Sequence, residues 1–314
     1  MNPLHYGYVA VFIFVTAFSA VFVNIRFTEA SSILITFSTF IFCWALFLGL
    51  DRHRLGHLVR LARQEKAGYF AINIATLLSW VGMFQALKLV AAPVQTVVYM
   101  SIIPAVTVFL SGEWREFPRW PLVAVLAIGI LGMNVAYAHP TMTGPAMNDQ
   151  LLGVFVALAA GSCGALYIVA SSRLQKRNDL TTNDLIAARL PMLLVVTGAV
   201  CIPELISVFS LEFVAKALLL TATAVIIPVW TLQQSILKIG GVRTSVLIPL
   251  VPITALALEW REGVPVSVPA LVSIGLQCAA IMWVSWVLAR LRQAKPATPQ
   301  PAAATAAEAQ TARE

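Results

Sequence analysis

The sequence predicts an all-α membrane protein in which ten transmembrane helices form two inverted-topology repeats of five. Three observations lead to this prediction: a very apolar composition, a duplicated stretch, and basic residues that concentrate in alternate loops. Hydrophobic residues make up 59% of the 314 residues, charged residues make up 11%, and the mean hydropathy is +0.84. A soluble domain cannot keep so apolar a chain in water.

The apolar residues occur in unbroken runs rather than alternating with a period of two, which favours helices over a barrel. A helix of about 20 apolar residues crosses the hydrocarbon core of a bilayer. The predicted spans are approximately 7–24, 30–50, 67–88, 91–111, 119–138, 151–171, 184–203, 214–236, 242–260 and 267–289. The remaining tail, 291–314, is rich in Pro and Ala and is predicted to be a disordered cytoplasmic segment.

Two stretches of the chain, 80–114 and 230–260, resemble each other. Each opens with a Trp, continues to a Leu-Lys pair, passes through an apolar segment that contains Pro, and ends in Glu-Trp. This duplication predicts a first five-helix repeat over residues 1–146 and a second over residues 147–290.

The loop charges orient the predicted spans. With the N-terminus in the cytoplasm, 16 Lys and Arg residues lie in inside loops and the tail, 4 lie outside, and Arg189 lies within the seventh span. The positive-inside rule therefore places both termini in the cytoplasm. Because each repeat has an odd number of spans, the second repeat enters the membrane from the opposite face, as in alternating-access transporters. The net charge of +7 belongs to these loops, so no nucleic-acid partner is predicted.

Three segments carry a family resemblance. GALYIVASSRLQKR (164–177) is an aromatic-containing run of small residues that ends in basic residues, and PAVTVFLSGEW (104–114) and PITALALEW (252–260) run from Pro to Glu. Their order and duplication resemble the drug/metabolite transporter superfamily, specifically the ten-span exporters built from two EamA repeats. The family often has an Arg near the start of its second and seventh spans; Arg189 matches this in the seventh, and the second has none. The resemblance implies export of amino acids, their derivatives or related metabolites.

Polar and aromatic residues are predicted to line a substrate cavity. Asn73, Thr76, Trp80 and Phe84 share one face of the third span, because they follow each other at helical spacing. The matching face of the eighth span and one face of the fourth complete the candidate substrate-binding set: Thr223, Trp230, Gln233, Gln234, Gln95 and Tyr99. Unpaired polar groups in lipid cost several kcal/mol, so the stripes must face protein or a water-filled cavity. The alternative is interhelical hydrogen bonding with packed aromatics.

Six further residues are predicted to have structural or gating roles: Glu113, Glu259, Arg189, Pro104, Pro249 and Pro252. The prolines are candidate kinks, because Pro removes a backbone donor and frees a carbonyl. The two glutamates lie at span ends, where pairing with Arg or capping of a neighbouring helix is favoured over proton coupling. Arg189 either pairs with Asp184 or attracts an anionic group of the substrate.

We find no motif for an enzyme, a cofactor or a metal. His53 and His57 lie four residues apart without a third ligand, and no phosphate-binding GxxxxGK[ST] is present. A membrane-embedded enzyme or assembly factor would need a polar catalytic cluster or a large soluble loop.

The sequence therefore predicts a secondary transporter that exports a small neutral, zwitterionic or aromatic metabolite by alternating access. The alternative is an uptake permease for a vitamin, a nucleoside or another nutrient. The expected location is the bacterial inner membrane, with the lipid bilayer and a small-molecule substrate as partners. Protons are a candidate coupling ion, and the chain is expected to be a monomer or a homodimer.

Overall fold

The computed structural model describes residues 5–49, 54–111, 147–178, 180, 182–239, 244 and 247–294. Within these ranges every regular element is helical and no strand occurs, which confirms the all-α prediction for the described residues. The α-helices are α1 Tyr6–Arg26, α2 Ser32–Gly49, α3 Arg54–Gln64, α4 Lys66–Leu89, α5 Ala92–Ser111, α6 Met147–Asn178, α7 Thr182–Ala188, α8 Pro191–Val208, α9 Leu211–Leu220, α10 Ile227–Ile239, α11 Val251–Arg261 and α12 Val268–Ala294. A π-helix, Thr221–Ile226, joins α9 to α10, and a short 3-10 helix, Ile248–Leu250, precedes α11.

Five helical segments of the described chain are long and apolar enough to cross a membrane. They are Tyr6–Arg26, Lys66–Leu89, Asn148–Gln175, Asn183–Val208 and Leu211–Leu232. Shorter apolar segments are Ser32–Phe47, Ala92–Ile103 and Val268–Ala280. The fold is therefore all-helical with the apolar segments of a membrane protein. The predicted fifth span, 119–138, and the C-terminal tail lie outside the described residues.

Two predicted spans are interrupted, and a proline explains each interruption. The seventh span divides into α7 and α8 at Pro191, which lies in the first turn of α8, where its missing N–H costs no hydrogen bond. The eighth span passes through the π-helix just before Pro228. Pro228 cannot donate to the carbonyl four residues earlier, and the wider turn, in which the Ile227 N–H reaches the Ala222 oxygen, accommodates that loss.

The helices pack in two interlocking groups. The long α6 lies against α4 and α5, and α1 lies against α10 and α11. The contact of α5 with α11 joins these groups, and α2 packs against α8. The largest buried cluster collects apolar side chains from α1, α2, α4 and α8, and includes Phe40 and Phe84, which are almost fully buried.

Glycines on α6 permit its close approach to α4 and α5. A Cβ atom on Gly161 would lie 2.6 Å from the Tyr99 carbonyl oxygen, and one on Gly153 would lie 2.8 Å from the Leu89 Cβ. The small residues Gly153, Ala157, Gly161 and Ala165 are buried along this seam. In lipid such surfaces let helix backbones pack closely, where apolar burial alone does not drive association.

Gly161→Ala is expected to lower the thermal stability of the detergent-solubilised protein. The new methyl group meets backbone, and overpacking of this kind typically costs about 1–3 kcal/mol, which corresponds to a Tm loss of several degrees. Gly275→Ala on α12 is the matched control, because nothing lies within 4 Å of its added Cβ. Equal melting temperatures of the two variants would contradict a tight α5–α6 seam.

A candidate solute cavity between the first, fourth and fifth helices

A cavity of about 90 Å³ lies between α1, α4 and α5. A buried water needs roughly 10–15 Å³, so several waters or part of a small organic molecule fit inside. The lining residues come mainly from these three helices, with one contribution from the π-helix: Thr16, Ser19, Ala20, Trp80, Met83, Phe84, Leu87, Gln95, Thr96, Tyr99, Met100 and Ala224. Four of the ten residues predicted to bind substrate, Trp80, Phe84, Gln95 and Tyr99, therefore line one cavity.

An aromatic wall forms one side of the cavity. The Trp80 ring centroid lies 4.8 Å from that of Phe40 in an edge-on arrangement and 5.8 Å from that of Phe84. Phe40 and Phe84 are almost fully buried, so they hold the indole in place. Such contacts add to the stabilisation that burial of the rings provides.

Polar groups among the lining residues are only partly satisfied. The Tyr99 hydroxyl lies 3.0 Å from the Ser79 Oγ, at hydrogen-bond distance. The Gln95 Nε2 and the Thr16 Oγ1 are buried and have no hydrogen-bond partner in the described part of the protein. A buried donor without an acceptor costs about 1–3 kcal/mol. Both groups line the cavity, so water or a solute oxygen inside it would satisfy them.

Asn73 lies away from the cavity and bridges α4 to the break between α7 and α8. Its Nδ2 donates to the carbonyl oxygens of Tyr69 and Ala188, each at 2.9 Å, and its Oδ1 accepts from the Met192 N–H at 3.1 Å. This amide is fully used in holding the broken seventh span. Thr76, one turn further along α4, is also buried and does not line the cavity.

The predicted face of the eighth span is not brought to this cavity. The Thr223 hydroxyl donates to the Leu219 carbonyl within its own helix, and Trp230 is 56% exposed and packs edge-on against Tyr8. Gln234 is half-buried, and the Gln233 side chain lies outside the described residues. The π-helix changes the phase of the residues around it, so that the regular spacing assumed from sequence no longer applies. Ala224 contacts the cavity instead.

The first helix supplies lining residues that the sequence reasoning missed. Thr16 and Ser19 lie three residues apart on α1 and face the cavity with Ala20. Their only sequence signal is a pair of small hydroxyl residues at helical spacing within an apolar span. Met83, Thr96 and Met100 were also missed, because nothing in their local pattern separates them from packing residues.

Glu259 caps a neighbouring helix. It is 1% exposed at the end of α11, and its Oε1 accepts a hydrogen bond of 2.9 Å from the Ala92 N–H, the first residue of α5. The first N–H groups of a helix have no partner within the helix, and a carboxylate there is stabilised by the helix dipole. This contact ties α11 to α5.

The prolines among the other candidate gating residues lie at the start of a helix or within one. Pro252 lies in the first turn of α11 and Pro249 in the short 3-10 helix before it, where proline starts a helix rather than bending it. Pro104 lies within α5. Glu113 lies outside the described residues. No group of three His, Cys, Asp or Glu side chains in the described ranges is placed to hold a metal ion.

Polar contacts join the helices at one end of the bundle, here called the Lys88 end, which comprises residues 24–31, 87–91, 204–212 and 261–264. The Lys88 Nζ donates to the carbonyl oxygens of Phe27 and Thr28. The Ser31 N–H and hydroxyl donate to the Glu204 carboxylate at 2.6 and 2.5 Å, and Arg26 pairs with Glu262 at 3.3 Å. These contacts tie the α1–α2 loop to α4, α8 and α11.

The opposite end, here called the Glu65 end, comprises residues 63–68, 108–111, 173–178, 180 and 182. Arg177 pairs with Glu65 at 3.8 Å, and Arg173 donates to the Leu110 carbonyl at 2.9 Å. Both contacts join α6 to its neighbours. The cavity thus lies in a bundle that is tied by polar contacts at both ends.

Comparison with known proteins finds a similar fold and does not identify a family. No family model matches the chain, and no curated protein sequence matches it. Among the solved structures, the crystal structure of another protein matches 92% of this chain and 97% of its own at 18% identity, with a TM-score of 0.55. At this identity the similarity shows a shared fold alone. The described part of the chain is thus all-helical, with segments long and apolar enough to cross a membrane and with an aromatic-walled cavity.

Proposed function

We propose that the protein is a secondary transporter of the drug/metabolite type that exports a small neutral, zwitterionic or aromatic metabolite across the bacterial inner membrane. The observation that carries the proposal is the cavity between α1, α4 and α5, which is lined by the rings of Trp80 and Phe84 and by Gln95, whose Nε2 has no hydrogen-bond partner. A mostly apolar cavity with a few placed polar groups is typical of a small-molecule site.

The helix contacts support two inverted repeats. If α1, α2, α4 and α5 correspond to α6, α7–α8, α9–α10 and α11, then the contacts of α1 with α10 and α11 match those of α6 with α4 and α5. The pairs α2 with α8 and α5 with α11 then map onto themselves. A pseudo-two-fold axis between two repeats requires this exchange symmetry, and the odd number of predicted spans in each repeat favours an axis in the membrane plane.

Alternating access assigns a role to the polar contacts at the two ends. The solute reaches the cavity from one side only when the contacts at that end have opened and those at the other remain closed. In our proposal the Glu65 end is cytoplasmic, because the basic loops lie there, and the Lys88 end faces the periplasm. Opening the Lys88 end would break the bonds of Ser31 with Glu204 and of Arg26 with Glu262.

The function is tested by metabolite profiling of cells that overexpress the chain and of cells that lack its gene. Export predicts at least one small amphipathic metabolite that accumulates in the medium on overexpression and inside cells on deletion. The reverse pattern would show uptake instead. A Trp80→Ala variant expressed at the same level is the control for indirect effects. No redistribution of any solute in either direction would contradict the transporter proposal.

The inverted topology is tested by labelling of single cysteines in a chain whose four native cysteines have been replaced. Lys88→Cys is expected to react with a membrane-impermeant thiol reagent applied to intact cells. Lys238→Cys, at the corresponding position of the second repeat, is expected to react only after the membrane is permeabilised. Labelling of both from the same side would rule out the inverted arrangement.

A further inference from the structure

A positive charge is buried inside the bundle at Arg189. The residue is 7% exposed and lies at the break between α7 and α8. Its guanidinium lies over the Tyr167 ring of α6, 4.8 Å from the centroid. Its Nε has no hydrogen-bond partner, and no ion pair joins Arg189 to Asp184 or to another carboxylate in the part of the chain that the structure describes.

An uncompensated buried cation is costly, and the tyrosine ring offsets only part of that cost. In membrane segments ionisable residues almost always pair with one another, and those that persist mark ion or substrate paths. The alternative explanation of the sequence analysis, a local ion pair with Asp184, is not what the structure shows. The guanidinium therefore has no carboxylate partner among the described residues and is available to an anion.

The backbone around Arg189 is held firmly. Asn73 accepts from the Met192 N–H and donates to the Ala188 carbonyl, so that its amide binds the chain on both sides of Arg189. These bonds satisfy backbone groups that the helix break would otherwise leave without partners. Asn73 is thus a positioning residue for the charge, which explains a buried amide on the polar face of α4.

Arg189 is connected to the cavity through Tyr167 and Tyr99. Its guanidinium lies over the Tyr167 ring, and three residues earlier on α6 lies Gly164, where an added Cβ would be 2.8 Å from the Tyr99 hydroxyl. Tyr99 lines the cavity together with Trp80 and Phe84, whereas Arg189 is not itself a lining residue. A buried cation behind Tyr99 and apolar rings in the cavity wall fit an amphipathic solute.

We infer that Arg189 supplies the positive charge that selects a monocarboxylate solute, whose apolar or aromatic body lies against Trp80 and Phe84. This inference rests on the proposed transport function and specifies its substrate class. Guanidinium binds carboxylate with two parallel hydrogen bonds, which gives both strength and orientation. A single carboxylate neutralises one buried cation. A phosphate monoester would require further cations. Among the described lysines, Lys66, Lys88 and Lys238 lie at helix ends, and Lys216 pairs with Glu212 at 2.6 Å.

The test measures thermal shifts of the purified chain in a neutral detergent with phenylacetate and with its uncharged counterpart phenylacetamide. At neutral pH and near-saturating concentration, phenylacetate is expected to raise the Tm by about 2 °C or more, and phenylacetamide is expected to raise it much less. Arg189→Gln is expected to abolish the preference for the acid. Arg189→Lys keeps the charge without the planar fork, and is expected to retain a weaker preference.

The unliganded variants provide a second measurement that separates a binding role from a structural one. Removal of an uncompensated charge is expected to leave the Tm of Arg189→Gln equal to or above that of the parent chain. A clear loss of stability in both Arg189→Gln and Arg189→Lys would show that Arg189 has a structural role, and would overturn the inference. An unmutated chain that shows no difference between acid and amide would also overturn it.

The outcomes distinguish this inference from the transport proposal. If profiling identifies a solute that the Arg189→Gln variant moves as fast as the parent chain, the role of Arg189 is wrong while the transporter stands. If the acid is preferred and the preference depends on Arg189 while no solute moves in cells, the anion site stands and the transport function fails.

Discussion

Trp80→Ala is expected to lower the initial rate of solute transport about tenfold or more, since losing about 1.4 kcal/mol of binding free energy corresponds to a factor of ten. Trp80 lines the cavity and packs against Phe40 and Phe84, so its removal deletes the apolar wall that a solute would contact. An aromatic side chain buries enough surface to account for a loss of this size. The measurement is the rate of release of the profiled metabolite from preloaded cells or vesicles.

Trp230→Ala is the matched control for this result. Trp230 occupies the corresponding position of the second repeat, but it is 56% exposed and contacts Tyr8 rather than the cavity. Its replacement is expected to leave the rate within about twofold, since exposed substitutions seldom change stability by more than roughly 0.5 kcal/mol. Equal losses in the two variants would mean that the cavity between α1, α4 and α5 is not the solute site.

Asn73→Ala is expected to cause the largest loss of stability among the substitutions discussed. It leaves the Ala188 carbonyl and the Met192 N–H without partners in a buried region. Each unsatisfied group costs about 1–3 kcal/mol, so the melting temperature in detergent should fall by roughly 5 °C or more. Thermal unfolding of the purified variant, followed by circular dichroism, measures this effect.

Asn178→Ala provides the comparison for Asn73→Ala. Its side chain bonds only within its own helix, to the Leu174 carbonyl at 3.1 Å, and it is half-buried. Its loss is expected to change the melting temperature by at most about 2 °C. If Asn73→Ala is as stable as Asn178→Ala, the tie between α4 and the α7–α8 break contributes little to the fold.

Features that depend only on residues close together in the sequence could be predicted. Helices in the described residues follow from long apolar runs, because a backbone in lipid must satisfy its hydrogen bonds within its own segment. Helical spacing also put Trp80 and Phe84 on one predicted face of α4, and Gln95 and Tyr99 on one predicted face of α5. All four side chains line the cavity. The ten spans, their orientation and the transport function stay predictions.

Features that depend on an irregular helix could not be predicted in this way. The eighth span was assumed to have regular spacing, which placed Trp230 on the face that matches the Trp80 face of the third span. The π-helix before Pro228 changes that spacing, and Trp230 lies beside Tyr8 instead. The sequence contains the proline, but it does not show whether the helix kinks, breaks or widens, because neighbouring helices decide which of these costs least.

What the sequence by itself determined is the class of the protein: an all-helical chain with apolar segments suited to a membrane. What only the tertiary structure decided is which polar groups meet. Glu259 finds the Ala92 N–H, 167 residues away, and Asn73 finds the Met192 N–H, 119 residues away. Arg189 finds no carboxylate in the described part of the bundle. Hydropathy is a local property, whereas the pairing of buried polar groups is set by helix packing, to which distant parts of the chain contribute together.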